Sequence, residues 1–411
     1  SILQVDIYDG TKLKNSINGS LSVEKVFGNI SKTAAKFTIG AKANPYDYLS
    51  GEISEMIIIS PAPDDDSEII EIQSYLSNKW NLTSTVDSDG DGLMDADDPE
   101  PNIPLQVSVS VITTEHTNSV PLPTYIDGSD QFYYQFKYEG GSNGSDEFTE
   151  YQMTLDENID AEILIVAGGG AGGSSLGTGG GAGGLVYIPM EEGYTLSSGT
   201  YKIQVGAGGS GMANSTDSSG ATSRGTNSSL TFVETSSEIL TAIGGANGNG
   251  QSTAYYGTNS SSGGSGAGGV RHRNNPGDSL QKTSTSISSD SRIFGFGNAG
   301  GSGITNDPYS SGGGGGAGSQ GKIGNINGGG DGGDGKQIAI TGENLWYAAG
   351  GGGSSNDSGL GIGGSGIGGD ALLEGTGNNG ADNTGSGGGG VTSGDRGGLG
   401  GSGIVIIRIS N

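Results

Sequence analysis

The sequence predicts an all-β protein: part of a β domain, a calcium-binding linker, then β-strands supporting a packed bundle of polyglycine II helices. Three observations lead there. Short apolar runs alternate with polar residues from the first positions (Leu3, Val5, Ile7) to the last (Ile404–Ile409). Glycine falls into two regimes, with 11 of the 86 glycines before Ala161 and the other 75 in the 251 residues from there on. Between an ordinary globular stretch and the next strand patterns lies VDSDGDGLMDADDPEPN, residues 86–102, whose acids recur at fixed offsets.

The first 82 residues read as the closing part of a β domain. Strand patterns occur at 20–26, 35–39 and 51–59; in the last, Ile53 and the run 56–59 point to a core. One helix follows, with Ser67 as N-cap and Ile69, Ile72, Leu76 and Trp80 on one face. The chain opens at Ser1 already inside a strand pattern, so it reads as part of a longer polypeptide. The stretches YLSGEISEMIIIS and SEIIEIQSYLSNKW resemble the C-terminal half of concanavalin A-like, LamG-type jelly rolls. That resemblance implies a glycan-binding or spacer module over residues 1–82.

Residues 83–102 form the joint. Asp87, Asp89, Asp91, Asp95 and Asp98 stand at positions 1, 3, 5, 9 and 12 of a loop with Gly92 at position 6. A calcium ion takes six to eight oxygen ligands from a flexible loop, and that spacing supplies carboxylates around a sharp glycine turn. The Leu93 carbonyl would fill position 7. The loop resembles thrombospondin type 3 and dockerin-like repeats more than an EF-hand, because Pro99 and Pro101 block an exiting helix. Calcium is therefore the expected cofactor.

Residues 103–127 are expected to connect in β form, and 128–411 to make the glycine-rich domain. Strand patterns recur at 106–113, 132–138 and 147–155. His116 and His272 are far apart in a chain without cysteine, which leaves no zinc site and no catalytic triad. No acid pair or nucleophile–base set stands out, and the chain is read as a non-enzyme.

AEILIVAGGGAGG, residues 161–173, has the letters of a dinucleotide fingerprint, a strand running into G-x-G-x-x-G. That motif works only if a helix starts at the glycines and faces the pyrophosphate. The continuation SSLGTGGGAGG carries six glycines in eleven residues, and each costs a helix about 1 kcal/mol relative to Ala. Matching letters also recur downstream by composition alone, so no nicotinamide or flavin is expected.

Glycine comes instead in islands at 168–184, 263–269, 312–318, 350–353, 361–369 and 387–390, separated by polar loops. The spacing is too irregular, and 11 prolines too few, for collagen. G-G-x-G-x-D is approached only at 329–334, so this is no calcium β-roll. A flexible linker would not carry strands through its middle. What remains is glycine used for its missing side chain. Extended helices of three residues per turn leave their peptide groups unpaired within the strand. When they pack side by side they can bond to one another and satisfy every buried group.

ILIVAGGGAGG at the start, LSSGTYKIQVGAGG at 196–209 and GGSGIVIIR at the end resemble the glycine-rich domains of phage and marine viral tail-fibre proteins and bacterial surface proteins. Tail-fibre adhesins built on packed polyglycine II helices are similar, as is the glycine-rich ectodomain of the anaplastic lymphoma kinase receptor. The resemblance implies an extracellular, cell-surface or virion location and loops that meet a receptor. The candidate contacts are Tyr255, Tyr256, Arg271, Arg273, Tyr309 and Tyr347; Phe294, Phe296 and Trp346 are assigned to packing.

The expected partner is a cell-surface receptor or glycan, together with self-association or attachment to a larger fibre. The alternative is a purely structural subunit of a filament or matrix. A net charge of −27 and a pI near 4.1 argue against nucleic acid, whose binders present basic stripes. No run of 18 apolar residues exists, so no membrane insertion is expected.

Overall fold

The structure, a computed structural model, divides into two compact units, Ser1–Leu105 and Gln106–Asn411. It describes residues 4–8, 12–17, 20–26, 73–76, 79 and 82 of the first. In the second it describes 107–111, 121, 123–126, 131–140 and 148–410, except 193, 212–223, 251–259, 272–274, 282–289, 306, 308 and 357–358.

In the first unit, β1 (Gln4–Tyr8), β2 (Lys12–Ile17) and β3 (Ser20–Val26) form an antiparallel meander. Residues 73–76 and 79 are helical, within the stretch where the 3.6-residue pattern predicts a helix. The expected strands at 35–39 and 51–59 and the calcium loop at 87–98 lie outside the described residues.

The second unit begins with two sheets. The strands in chain order are β4 (Val107–Val111), β5 (Thr124–Tyr125), β6 (Gln131–Lys137), β7 (Phe148–Leu155), β8 (Ile159–Val166), β9 (Leu185–Ile188), β10 (Thr195–Leu196), β11 (Gly199–Gly206), β12 (Ser228–Phe232) and β13 (Ser237–Ala242). There follow β14 (Phe294–Phe296), β15 (Lys336–Ile338), β16 (Leu345–Tyr347), β17 (Leu372–Thr376), β18 (Val391–Arg396) and β19 (Ile404–Ser410). One sheet runs β14-β9-β8-β19-β6-β5, with β10 also on β8; the other runs β13-β12-β11-β7-β4. Within the stretch expected as a connector, β4 pairs with β7 as an edge strand of its sheet.

Alternation in β6 and β7 decides how the sheets meet. Phe132, Tyr134 and Phe136 are buried on one side, as are Tyr151, Met153 and Leu155 on the other, and the Phe136 and Tyr151 rings lie 5.4 Å apart. The other face of β8 and β19 is covered too. There Leu164, Val166, Ile404 and Ile406 join Ile338, Ile340 and Tyr347. Burial on both faces explains why β8 and β19 read as unbroken apolar runs rather than alternating ones.

Beyond the sheets the glycine islands form a lattice. In the stretch 179–184, Gly179 and Ala182 donate to the carbonyls of Gly312 and Gly315. Gly180 and Gly183 donate to Gly388 and Gly385, and Gly181 and Gly184 to Ala246 and Ile243. The partner changes with every residue and returns every third, as three residues per turn require. Three further segments donate to the same helix: Gly268 and Ser265 to Gly179 and Ala182, Gly351 to Gly180, and Gly170 and Ala167 to Gly181 and Gly184. This helix therefore has six bonded neighbours.

The helix through 312–317 has six as well. It donates to 266–269, 319–322 and 348–351, and it accepts from the segments of Gly179, Gly301 and Gly333, with the Asn298 amide completing one side. Such spacing leaves no room for a side chain. A Cβ at Gly351 would stand 2.0 Å from the Gly388 oxygen, and one at Gly388 would stand 2.2 Å from that of Gly398.

Edge helices differ. In 329–334, Gly329 and Gly332 donate to Gly359 and Ile362, and Gly330 and Gly333 donate to Ser311 and Gly314. The third position of each turn carries Asp331 and Asp334, which point outward.

Candidate functional site

The lattice turns back where Leu176 and Gly177 donate to Thr392 and Val391 of β18, and serine closes it there. Ser310, Ser311, Ser354 and Ser355 are fully buried just past the glycines. The Ser311 hydroxyl donates to the Leu176 carbonyl at 2.7 Å and the Ser354 hydroxyl to the Gly177 carbonyl at 2.9 Å. Ser310 bridges to Ile304 and to Ser355, and its hydroxyl donates to the Asn325 carbonyl. Each small hydroxyl thus satisfies a carbonyl at the layer where the lattice stops, and the turns above it are held at both ends.

Two of the candidate contact residues meet on this end. The Arg271 guanidinium lies over the Tyr309 ring, 4.5 Å from its centroid. Tyr309 is fixed from below: its carbonyl accepts from the Asn356 backbone N–H at 3.2 Å and from the Ser355 hydroxyl. Arg271 is half-buried, and its Nε is fully buried with no hydrogen-bond acceptor among the described residues. Desolvation pushes the guanidinium pKa below the usual arginine value, with Tyr309 pulling the other way.

The other arginines whose side chains bond are anchored. Arg292 makes a bidentate pair with Asp290, Arg224 donates to the Ser262 carbonyl, and Arg408 pairs with Glu162 at 2.9 Å. Arg271 has none of these. Exposed Asn356 and Asn325 are tied through their backbones to Tyr309 and to the Ser310 hydroxyl. Sequence reading missed both; their one signal is an amide at the break between two glycine islands.

The remaining candidates separate. Tyr255, Tyr256 and Arg273 lie outside the described residues, as do the calcium ligands Asp87, Asp89, Asp91, Leu93, Asp95 and Asp98. Tyr347 is a correction. It ends β16, is only 3% exposed, packs with Leu164 and Ile406, and has its phenol pushed up to about 12 by burial. A core residue cannot meet a receptor. Its neighbour Trp346, assigned to packing, is 38% exposed, and Leu345 before it 39%. Phe296 does pack, half-buried against the same core cluster with Lys336 over its ring, and Phe294 is half-buried in β14 beside β9.

The fingerprint segment is part of the lattice. The amides of Gly168, Gly169, Gly170, Gly172 and Gly173 donate to Thr226, Gly401, Gly181, Gly398 and Thr178. They bind backbone where a cofactor phosphate would need them.

A second polar cluster is internal. Glu162 is buried opposite Arg408 across β8 and β19, and the Tyr187 hydroxyl donates to its other oxygen. Burial raises the Glu162 pKa, against the pull of Tyr187 and Arg408. Among the described residues no three His, Asp or Glu side chains gather as metal ligands, and no helix is long and apolar enough to cross a membrane.

No curated protein matches the chain. The family model described as a glycine-rich domain matches residues 145–410. That span starts just before β7, takes in the whole lattice and ends within β19 at the last described residue; the chain belongs to the glycine-rich domain family.

Proposed function

We propose that the chain is an extracellular or virion-borne adhesion protein, in which the lattice is a rigid support presenting its serine-capped end to a receptor or glycan. The observation that carries this reading is the Arg271–Tyr309 stack. Two residues from different turns are held together at this end, and among the described residues the cation has no hydrogen-bond acceptor. Conserving the geometry of such turns is what a bonded backbone scaffold does well, since ordering is complete before binding and little entropy is lost on contact. The 87–98 loop is read as a calcium site that stiffens the link to the preceding jelly-roll fragment.

Binding of the labelled full chain to a panel of cell surfaces and immobilised glycans tests the reading. Saturable binding to some members, weakened by Tyr309→Ala in a chain that melts normally, is expected. Absence of binding across the panel, or indifference to Tyr309→Ala, would defeat it.

A structural role in a filament or matrix is the second reading, and one observation favours it. Ile323, Ile326 and Ile362 are 59%, 65% and 61% exposed along the edge segments of the lattice, where apolar side chains suit lateral contact between copies. Concentration-dependent sedimentation that Ile323→Asn with Ile362→Asn abolishes would support it; a monomer at all concentrations would not.

A further inference from the structure

We infer that Arg271 and Tyr309 form a subsite for the carboxylate of an acidic sugar, with Asn356 and Asn325 reading the adjoining hydroxyls. This deepens the adhesion reading and rests on the same surface.

The argument starts from the donors. A guanidinium carries five N–H groups and no acceptor, and a cation held out of bulk water without a counter-charge is costly. Among the described residues no carboxylate or carbonyl receives a hydrogen bond from Arg271, although the chain holds 45 acidic residues against 18 basic ones. Stacking on Tyr309 fixes the plane of the group and buries Nε. The terminal nitrogens are left as a fork, and a fork of that geometry matches a planar carboxylate in a bidentate way.

Charge narrows the ligand further. With a net charge of −27 the protein repels a polyanion, and among the described residues one fixed arginine stands here rather than a basic stripe. A ligand with a single anionic group fits better than a nucleic acid or a densely sulfated chain. Exposed Asn356 and Asn325 then supply what a lone carboxylate does not need. The Asn356 amide offers two donors and an acceptor side by side, and the Asn325 amide, whose Oδ1 accepts from the Asn327 backbone N–H at 2.8 Å, offers its two donors; both suit ring hydroxyls. Asn356 is tied to the site through its backbone N–H on the Tyr309 carbonyl, and Asn325 through its carbonyl on Ser310. Carboxylate plus hydroxyls on one ring is a uronic acid or a related acidic sugar.

The test titrates the full chain at low salt with sodium glucuronate, methyl glucoside and sodium sulfate, followed by calorimetry and by the tyrosine ring signals in NMR. Glucuronate is expected to bind and to shift a tyrosine ring, with methyl glucoside at least about tenfold weaker, the loss of a charge-assisted pair. Arg271→Gln should lose the glucuronate preference. Arg271→Lys should lose most of it as well, because a lysine keeps the charge but not the fork. Asn356→Ala, an exposed side chain whose loss leaves the backbone bond in place, should weaken glucuronate and leave sulfate unchanged; it decides the matter if Arg271 variants fail to fold.

Sulfate binding as tightly as glucuronate would show a site that reads charge alone and overturn the sugar assignment. Glucuronate binding equal in wild type and Arg271→Gln, or no binding, would overturn the subsite. Cell binding measured in parallel separates the two readings. Cells bound alike by wild type and Arg271→Gln, with no glucuronate binding, remove the subsite and leave adhesion standing. Glucuronate binding by a chain that attaches to no cell removes adhesion and leaves the subsite.

Discussion

At Gly314 a Cβ would stand 2.0 Å from the Gly180 carbonyl oxygen and 2.5 Å from its carbon. Both are backbone atoms, and Gly180 is itself held by Gly351 and Gly388, so a side chain must push two helices apart. That breaks the bonds between them, from Gly179 to Gly312 and from Ala182 to Gly315, and each buried group left unpaired costs about 1–3 kcal/mol. Gly314→Val is expected to remove most of the cooperative melting transition in calorimetry. Lys322→Val, on an edge segment with a side chain 70% exposed, loses only the ion pair to Asp331, an interaction of about 0–1 kcal/mol. A normal transition in Gly314→Val would refute the lattice.

Glu162 carries a pH prediction on the same scale. Its folded pKa lies above the ordinary value of 4.5, chiefly through burial. A carboxyl raised in this way binds its proton more tightly when folded. Its favourable contribution is complete below the unfolded pKa and is lost as pH rises through the folded one. The stability of wild type relative to Glu162→Gln should therefore decline from acid toward neutral pH. Melting curves of the two proteins across that range check the sign, and a relative stability that grows with pH would contradict it.

Among elements, β19 does the most. It comes last of the described strands yet lies between β6 and β8, so the sheet closes only once β19 is in place. Ile406 is fully buried there against Leu164 and Ile340. Ile406→Ala should cost about 2–5 kcal/mol, read as a lowered denaturant midpoint, whereas loss of under about 0.5 kcal/mol would mean this face is not packed.

Much of this level was legible in the residues. Apolar runs at 163–166 and 404–409 announce strands covered on both faces, and runs such as GGGGG at 312–316 announce interior helices, where all three positions of each turn must lack a side chain. GGDGGD, 329–334, can now be read as an edge helix, since one position in three faces outward. The meeting of Arg271 with Tyr309 was not legible, because it depends on which turns of the lattice are neighbours, and glycine islands carry no side-chain code for their partners. Tyr347 failed for another reason: in a three-residue strand, period-2 alternation has too few residues to show which of Trp346 and Tyr347 points inward.

At the scale of the molecule the lattice should behave as a cooperative solid although little of it is helix or sheet. A glycine-rich chain loses more conformational entropy on ordering than any other, so partial order is disfavoured: a helix freed from its six neighbours keeps no bond of its own. Opening should therefore be all or none. The amides of Gly180, Gly314, Gly351 and Gly388 each donate to a neighbouring helix at 2.9 to 3.0 Å, and they are expected to exchange with solvent deuterium only through global unfolding, as slowly as those of Ile163 and Leu164 in β8. Amides of the turns at the serine-capped end, such as Asn327, should exchange earlier. Hydrogen exchange of the full chain, read residue by residue, distinguishes this from a set of strands carrying loose glycine loops, in which Gly314 would exchange orders of magnitude faster than Leu164. The glycine lattice would then be a covering of the sheets and not a rigid support, and the case for a presented binding surface would fall with it.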